Sequence, residues 1–484
     1  MSIVSPLPRS TPAKQGIAQL GIAKFFKTIE DHHLELHSMM LVRHGHVVAE
    51  HWWKPFAPDK PHMLFSLSKS FTSTAIGLAI AQGLLTENDP ILSFFPEYVT
   101  PEIDDNMKDL QIRHLLSMST GHVEDTMPYL HQAKDGDWVK AFLGVPIQKE
   151  PGSHFLYNTG ATYMLSAILQ RTTGQTLLEY LTPRLFELLG IRNPTWQTCP
   201  RGINTGGFGL SILTEDIAKF GVLYLQRGLW RGQRLIKENW VDTATQFHIA
   251  NGNQADSDWA QGYGYQFWRC RHNVYRGDGA FGQYCIVMPE QDAVLAITSG
   301  VNDMQAVLNI VWDTILPAMS DETILENEDS VPHHMADDVI DVVSGPIGVD
   351  PEKRLTPAWA DHWLDLEDNP FSIRKAKFTF STDVFLFSMI RDGVEWTLRG
   401  GYLTWMDDQR MQFAPEIPSQ EVAIQGGWRD ESTFAMAICY CETPFTYNME
   451  VTPFEDGVTL RIAVNVSFHA QSDILIKSSF TPAS

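Results

Sequence analysis

The chain has 484 residues, enough for two or three domains, and its 44% hydrophobic and 19% charged residues match a globular protein with a large core. Disordered, collagen-like and coiled-coil classes are excluded. Lys+Arg 36 against Asp+Glu 58 leaves a net charge of −22, a surface that repels phosphate backbones and anionic lipid heads, so no nucleic-acid and no membrane partner is expected.

No run of about 18 apolar residues occurs, and the opening MSIVSPLPRSTPAKQGIAQL lacks the apolar core of a signal peptide. A cytoplasmic location follows as an expectation. The five cysteines are an odd number and do not form a disulfide framework. Cys439 and Cys441, two apart on a predicted strand, read as buried free thiols. Neither His44-Gly45-His46 nor His333-His334 has the company of a metal site, and no metal or other cofactor is expected.

In chain order, residues 38–53 read as a hairpin around Arg43-His44-Gly45. A helix-rich stretch runs from about Ser66 to Leu225. Within it, Thr176 to Leu189 is helical, with Pro183 kinking or splitting it. Thr214 caps another helix, whose buried stripe is Ile217, Phe220, Leu223 and Tyr224. Gly262 to Trp268, Gln283 to Met288 and Ala293 to Ser299 read as strands, and Ala306 to Leu316 as a closing helix stopped by Pro317.

Residues 321–345 then hold eight acids and no base, the mark of a solvated linker, bounded here as 321–349. Beyond it Phe434, Met436, Ile438 and Tyr440 alternate with small or polar residues, as do Val458, Leu460, Ile462, Val464 and Val466. Asp392-Gly393 and Asp456-Gly457 stand where hairpin turns belong. Residues 350–484 therefore read as an antiparallel β barrel or sandwich, following a first domain over 1–320.

Two motifs mislead. Gly277-Asp278-Gly279-Ala280-Phe281-Gly282 matches G-x-G-x-x-G, but strand-like sequence follows it where a dinucleotide site needs a helix. Ser372-Ile373-Arg374-Lys375 matches S-x-x-K, a pattern that composition alone yields roughly once or twice in such a length. Ser66-Leu67-Ser68-Lys69 is different because it opens an apolar helix, SLSKSFTSTAIGLAIAQGLL. Three residues apart, Ser66 and Lys69 share a face. The helix N-terminus favours negative charge near Ser66, and apolar surroundings disfavour the Lys69 ammonium. Ser66 reads as a nucleophile and Lys69 as its base.

The segments HMLFSLSKSFTSTAIGLAIAQGLLTENDPILSFFPE, IRHLLSMSTGH, PGSHFLYNTGATYMLSAILQRTTGQTLLEYL, GGFGLSILTEDIAKFGVLYLQRG and GDGAFGQYCIVMPE resemble the serine β-lactamase and penicillin-binding-protein superfamily, and within it the class C-type, esterase-like hydrolases. The resemblance spans about residues 12–320. It implies an α+β fold, with an antiparallel sheet from the terminal parts and an inserted helical region. It also implies an acyl-enzyme on Ser66, with Tyr157 sharing protons with Ser66 and Lys69. Tyr157-Asn158-Thr159 stands at the family's Tyr-x-Asn motif, with Thr159 in place of Asn, so Asn158 and Thr159 become candidate substrate contacts. Gly277-Asp278-Gly279 stands at the third motif without its cation. Gly279 is then expected to let substrate approach, and the backbone N–H groups of Ser66 and Ala280 to form the oxyanion hole.

The expected activity is hydrolysis of a small ester or amide. The alternatives are a β-lactamase or D-amino-acid peptidase, or a penicillin-binding sensor that acylates without turnover. The expected partner is a small-molecule ester, amide or β-lactam, and an oligomer is left open.

Overall fold

Residues 36–43, LHSMMLVR, carry apolar side chains toward both faces, and the strand they form, β1 (Leu36–Arg43), is buried along its whole length. In this computed structural model, which describes residues 6–320 except 102 and 357–479 except 413–418, 456 and 470–472, β1 turns back through His44 and Gly45 into β2 (His46–Trp52). Both turn residues have positive φ, 48° and 73°, as a tight hairpin needs. The expected hairpin is therefore present.

A short sheet joins β3 (His62–Met63), β4 (Thr195–Trp196) and β5 (Leu210–Ile212) in the order β3-β5-β4. The main antiparallel sheet is completed by β6 (Trp268–Arg269), β7 (Tyr275–Gly279), β8 (Gln283–Met288) and β9 (Ala293–Ser299), in the order β2-β1-β9-β8-β7-β6. Its first and last strands thus come from the two ends of the domain. The side-chain period of two divides its residues between two cores. Met39, Leu41, Tyr284, Ile286, Leu295 and Ile297 pack against α1 (Gln19–Asp31) and the helical segment from Met304 to Ala318. Met40, Val42, Cys285, Val287, Val294 and Ala296 face the inserted helices, α2 (Ser68–Ala81), α3 (Thr159–Thr173) and α4 (Thr214–Leu225).

Two local expectations change, and the split expected at Pro183 is present. The strand predicted over 262–268 is irregular up to Trp268, because Gly262 and Gln266 take φ of 102° and 65°. Pro183 produces a wide, π-type turn over Thr182–Phe186 between two α segments. Thr214 is the first residue of α4 rather than its cap, and its hydroxyl bonds Ser38 Oγ at 2.7 Å.

The C-terminal domain is all β. Its strands are β10 (Leu364–Leu366), β11 (Ile373–Phe380), β12 (Val384–Arg391), β13 (Val394–Tyr402), β14 (Met406–Met411), β15 (Gln420–Trp428), β16 (Phe434–Tyr440), β17 (Thr446–Phe454), β18 (Gly457–Val464) and β19 (Ile474–Ser479). Their order is β13-β12-β11-β10-β19-β18-β17-β16-β15-β14, and a parallel pairing of β13 with β15 closes the sheet into a barrel. Asp392 and Gly393 form the expected turn between β12 and β13. The linker expected at 321–349 and residue Asp456 lie outside the described residues. The barrel core holds residues from Trp359 onward, and the other two cores end at Ile315, so each domain has its own core. Cys439 and Cys441 are buried free thiols at the end of β16.

Candidate active site

Phe65, Ser66 and Leu67 form a single 3-10 turn that runs directly into α2. Every residue of α2 from Ser68 to Ala79 is buried, so Lys69 has no solvated face to reach; it is 1% exposed. Its Nζ lies 3.0 Å from Ser66 Oγ and donates to the Gly207 carbonyl at 2.9 Å, with Thr159 Oγ1 at 3.4 Å. Burial pushes the Lys69 ammonium down to about 7, against the opposing charges of Asp125 and Asp278.

Tyr157 lies across from that pair. Lys69 Nζ is 4.7 Å from its ring centroid, the ring stacks on Trp268 at 5.2 Å, and its hydroxyl hydrogen-bonds with Ser66. Burial holds the phenol well above its usual value, and the nearby Asp278 charge adds to the effect. Asn158 does not reach the cleft. It is fully buried, and its Oδ1 accepts from Thr126 Oγ1 at 2.8 Å and from the Ala161 N–H at 3.3 Å, which caps α3. These hydrogen bonds of Asn158 are thus to the protein itself. Thr159, the first residue of α3, turns its hydroxyl to Lys69 and donates its N–H to Asp125 Oδ1 at 2.9 Å.

Strand β7 lies against the nucleophile turn. A Cβ on Gly279 would stand 2.0 Å from the Leu64 carbonyl oxygen. One on Gly277 would meet Leu67 Cδ1 at 2.4 Å and Ser70 Oγ at 2.5 Å. The glycines therefore admit the protein's own backbone and α2 to this strand. The N–H groups of Ser66 and Ala280 have no hydrogen-bond partner among the described residues. Gln283 steadies the Ala280 turn by donating to the carbonyls of Ala280 at 2.9 Å and Ser299 at 2.8 Å.

Alternation along β7 puts Arg276 and Asp278 on its other face. Arg276 is 0% exposed and paired with Asp278. Its Nε donates to Asp278 Oδ2 at 3.0 Å, another nitrogen donates to the Asp258 carbonyl at 2.8 Å, and the guanidinium lies 4.3 Å over Trp259. Asp278 accepts a hydrogen bond from Trp268, and burial raises its carboxyl while Arg276 opposes the rise.

Three contributors were not singled out from the sequence: Asp125, Gly207 and Gln266. Gln266 Nε2 donates to the carbonyls of Leu115 and Leu116, its Oε1 accepts from Thr162, and its own carbonyl accepts from Ser70, so it joins α2 and α3. Nothing in the pattern YGYQFW marks it. The second S-x-x-K lies at the start of β11, with Ser372 exposed and Lys375 paired to Asp365 at 2.9 Å. Among the described residues no helix is long and apolar enough to cross a membrane.

The family profile described as Beta-lactamase matches residues 22–311. A 6-aminohexanoate-dimer hydrolase of Paenarthrobacter ureafaciens is 26% identical over 290 residues, 55% of this chain and 73% of that protein. A family VIII carboxylesterase structure aligns with TM-score 0.51 and 15% identity, over 64% of this chain and all of the other. The octameric penicillin-binding protein homologue from Pyrococcus abyssi aligns with TM-score 0.50 and 15% identity, over 94% of this chain and 99% of the other. That last likeness extends across the barrel as well.

Proposed function

We propose, because the chain belongs to the Beta-lactamase family of serine hydrolases, that it cleaves small carboxylic esters or amides through an acyl-enzyme on Ser66. The observation that carries this reading is the buried Lys69 nitrogen 3.0 Å from Ser66 Oγ. Relatives named as an aminohexanoate-dimer hydrolase and a carboxylesterase support the amide and ester classes.

In the proposed sequence, Ser66 Oγ attacks the carbonyl carbon and its proton passes to Lys69. With its affinity lowered to about 7, Lys69 is in good part a neutral amine at neutral pH. The carbonyl oxygen becomes an oxyanion, accepting from the N–H groups of Ser66 and Ala280. Tyr157 stays protonated because burial and Asp278 oppose its phenolate, and it donates its proton to the departing alkoxide or amine. The Lys69 ammonium then returns a proton to Tyr157, which restores both groups. Water attacks the acyl-enzyme by the same route, with Lys69 again taking the proton. This assigns the first base to Lys69 and the acid to Tyr157, a division that composition and motif leave open.

The test is intact-mass detection of a fluorophosphonate adduct, its mapping to the peptide holding Ser66, and turnover of p-nitrophenyl acetate. Ser66→Ala is expected to abolish adduct and turnover. Modification elsewhere, with full activity of Ser66→Ala, overturns the reading. A burst of one product equivalent without steady turnover would select the sensor instead.

A further inference from the structure

Two bulky residues beside the Ser66 and Ala280 N–H groups hold left-handed backbone. Phe65 precedes Ser66 with φ of 46°, and Phe281 follows Ala280 with φ of 65°. A phenylalanine is disfavoured in that conformation, and residues held so collect where a site constrains them. The two rings meet edge to face with centroids 5.8 Å apart.

Two more phenylalanines reach the same spot from the barrel. Phe445, between β16 and β17, is 6.3 Å from Phe65 and 5.9 Å from Phe281. Phe468, beyond β18, is 5.7 Å from Phe65 and 4.7 Å from Phe281. Phe468 is 65% exposed and stands outside the barrel core, so folding of the barrel does not account for it. It is an aromatic ring that the second domain holds out over the nucleophile turn of the first.

The direction of the reaction assigns the cluster a role. A leaving group departs toward the proton donor, Tyr157, whose aromatic neighbours are Trp268 and Tyr263. A carbonyl oxygen seated on Ser66 and Ala280 then directs its acyl substituent the other way, toward the rings that adjoin those two residues. Rings at this spacing, edge to face or tilted, suit a further aromatic group. We infer that Phe65, Phe281, Phe445 and Phe468 form the acyl subsite, that its occupant is an arylacyl group, and that Phe468 is a specificity-determining residue supplied by the barrel. This inference rests on the acyl-enzyme reading of Ser66.

The experiment compares kcat/KM of the full chain for p-nitrophenyl phenylacetate and p-nitrophenyl acetate, which share a leaving group, each corrected for its hydroxide rate. The wild type is expected to favour phenylacetate by on the order of tenfold or more, the scale of a well-filled apolar pocket. Phe468→Ala should lower that ratio about fivefold or more. Phe468→Trp should retain most of it, and Phe454→Ala, an exposed phenylalanine elsewhere on the barrel, should leave it unchanged. A wild type without the preference, or Phe468→Ala with the wild-type ratio, overturns the subsite while acetate turnover keeps the hydrolase reading. An unchanged ratio with an altered oligomeric mass would assign Phe468 to a contact between copies and equally overturn it. Failure of Ser66 to react with either ester or with fluorophosphonate overturns both readings.

Discussion

The backbone N–H of Met63 donates to the carbonyl of Glu442 at 2.8 Å. The strand that ends just before the Leu64-Phe65-Ser66 turn is therefore tied to the barrel. Lys60 reinforces the tie through ion pairs to Asp407 at 2.8 Å and Glu421 at 2.5 Å.

Separate cores and a shared site make different demands on a truncated chain. A protein ending at Ser320 retains both cores of the first domain and should show native-like circular dichroism and a cooperative melt. It loses the Glu442 partner and the Phe445 and Phe468 rings. Its ester turnover should fall by about 10²-fold, the usual effect of a small displacement of a nucleophile. An unfolded product would mean that the barrel is part of the first domain's stability.

The pH profile reports Lys69. Turnover should rise with pH through about 7 and level off above it, since the neutral amine is the base. Lys69→Ala should remove this limb and lower kcat by about 10²-fold or more, as should Tyr157→Phe for the acid step. Because folding depresses the Lys69 value, its stabilising contribution is present above the ordinary lysine value and is lost as pH falls through about 7. A profile flat between pH 5 and 9 in the wild type would assign the base elsewhere.

Asp278 is paired with Arg276 inside the protein, at 2.9 Å and 3.0 Å. Asp278→Asn leaves that guanidinium buried without its counter-charge and should cost about 3–5 kcal/mol of stability, read from thermal or denaturant unfolding. Loss of the acidic charge should also move the Lys69 limb to lower pH, since Asp278 raises Lys69. Movement to higher pH would contradict the placement of the charge.

Glu35 sits at the junction of the domains, where it hydrogen-bonds with Thr446 and Asn465 and lies 3.3 Å from His37 Nε2. Burial raises its carboxyl to about 7, and burial also lowers His37 to about 3 and holds His62 well below its usual value, so both imidazoles are neutral near pH 7. A raised acid stabilises the fold below its unfolded value, and that contribution is lost as pH rises through about 7. Wild-type stability should carry this loss and Glu35→Gln should not; equal slopes in urea midpoints from pH 5 to 8.5 would exclude it.

Substrate charge follows from the third motif. Arg276 is enclosed, Gly277 packs on α2, and the charges acting on Lys69 are the carboxylates of Asp125 and Asp278. A missing charge-assisted bond forfeits about 1.5–3 kcal/mol, or roughly 10- to 150-fold in binding. Neutral acyl esters should therefore be turned over well and anionic cephalosporins poorly. A cephalosporin kcat/KM above about 10⁵ M⁻¹s⁻¹ would contradict this.

Local pattern sufficed for much of the molecule. The His44-Gly45 hairpin, the apolar helix after Ser66, the burial of Lys69 and the alternating strands of the barrel all follow from periodicity and turn chemistry, which act between near neighbours in the chain. The S-x-x-K spacing places Ser66 beside Lys69 for the same reason, since a single helical turn sets that distance. Tertiary packing alone decided the rest. It spent Asn158 on a helix cap, filled the space at Gly277 and Gly279 with Leu67, Ser70 and Leu64, and enclosed Arg276 with Asp278. It also brought Asp125, Gly207 and Gln266 to the site, and Phe468 across from a second domain to Phe65. These neighbours lie up to hundreds of residues apart, and hydrophobic periodicity does not encode which distant side chain fills a given space.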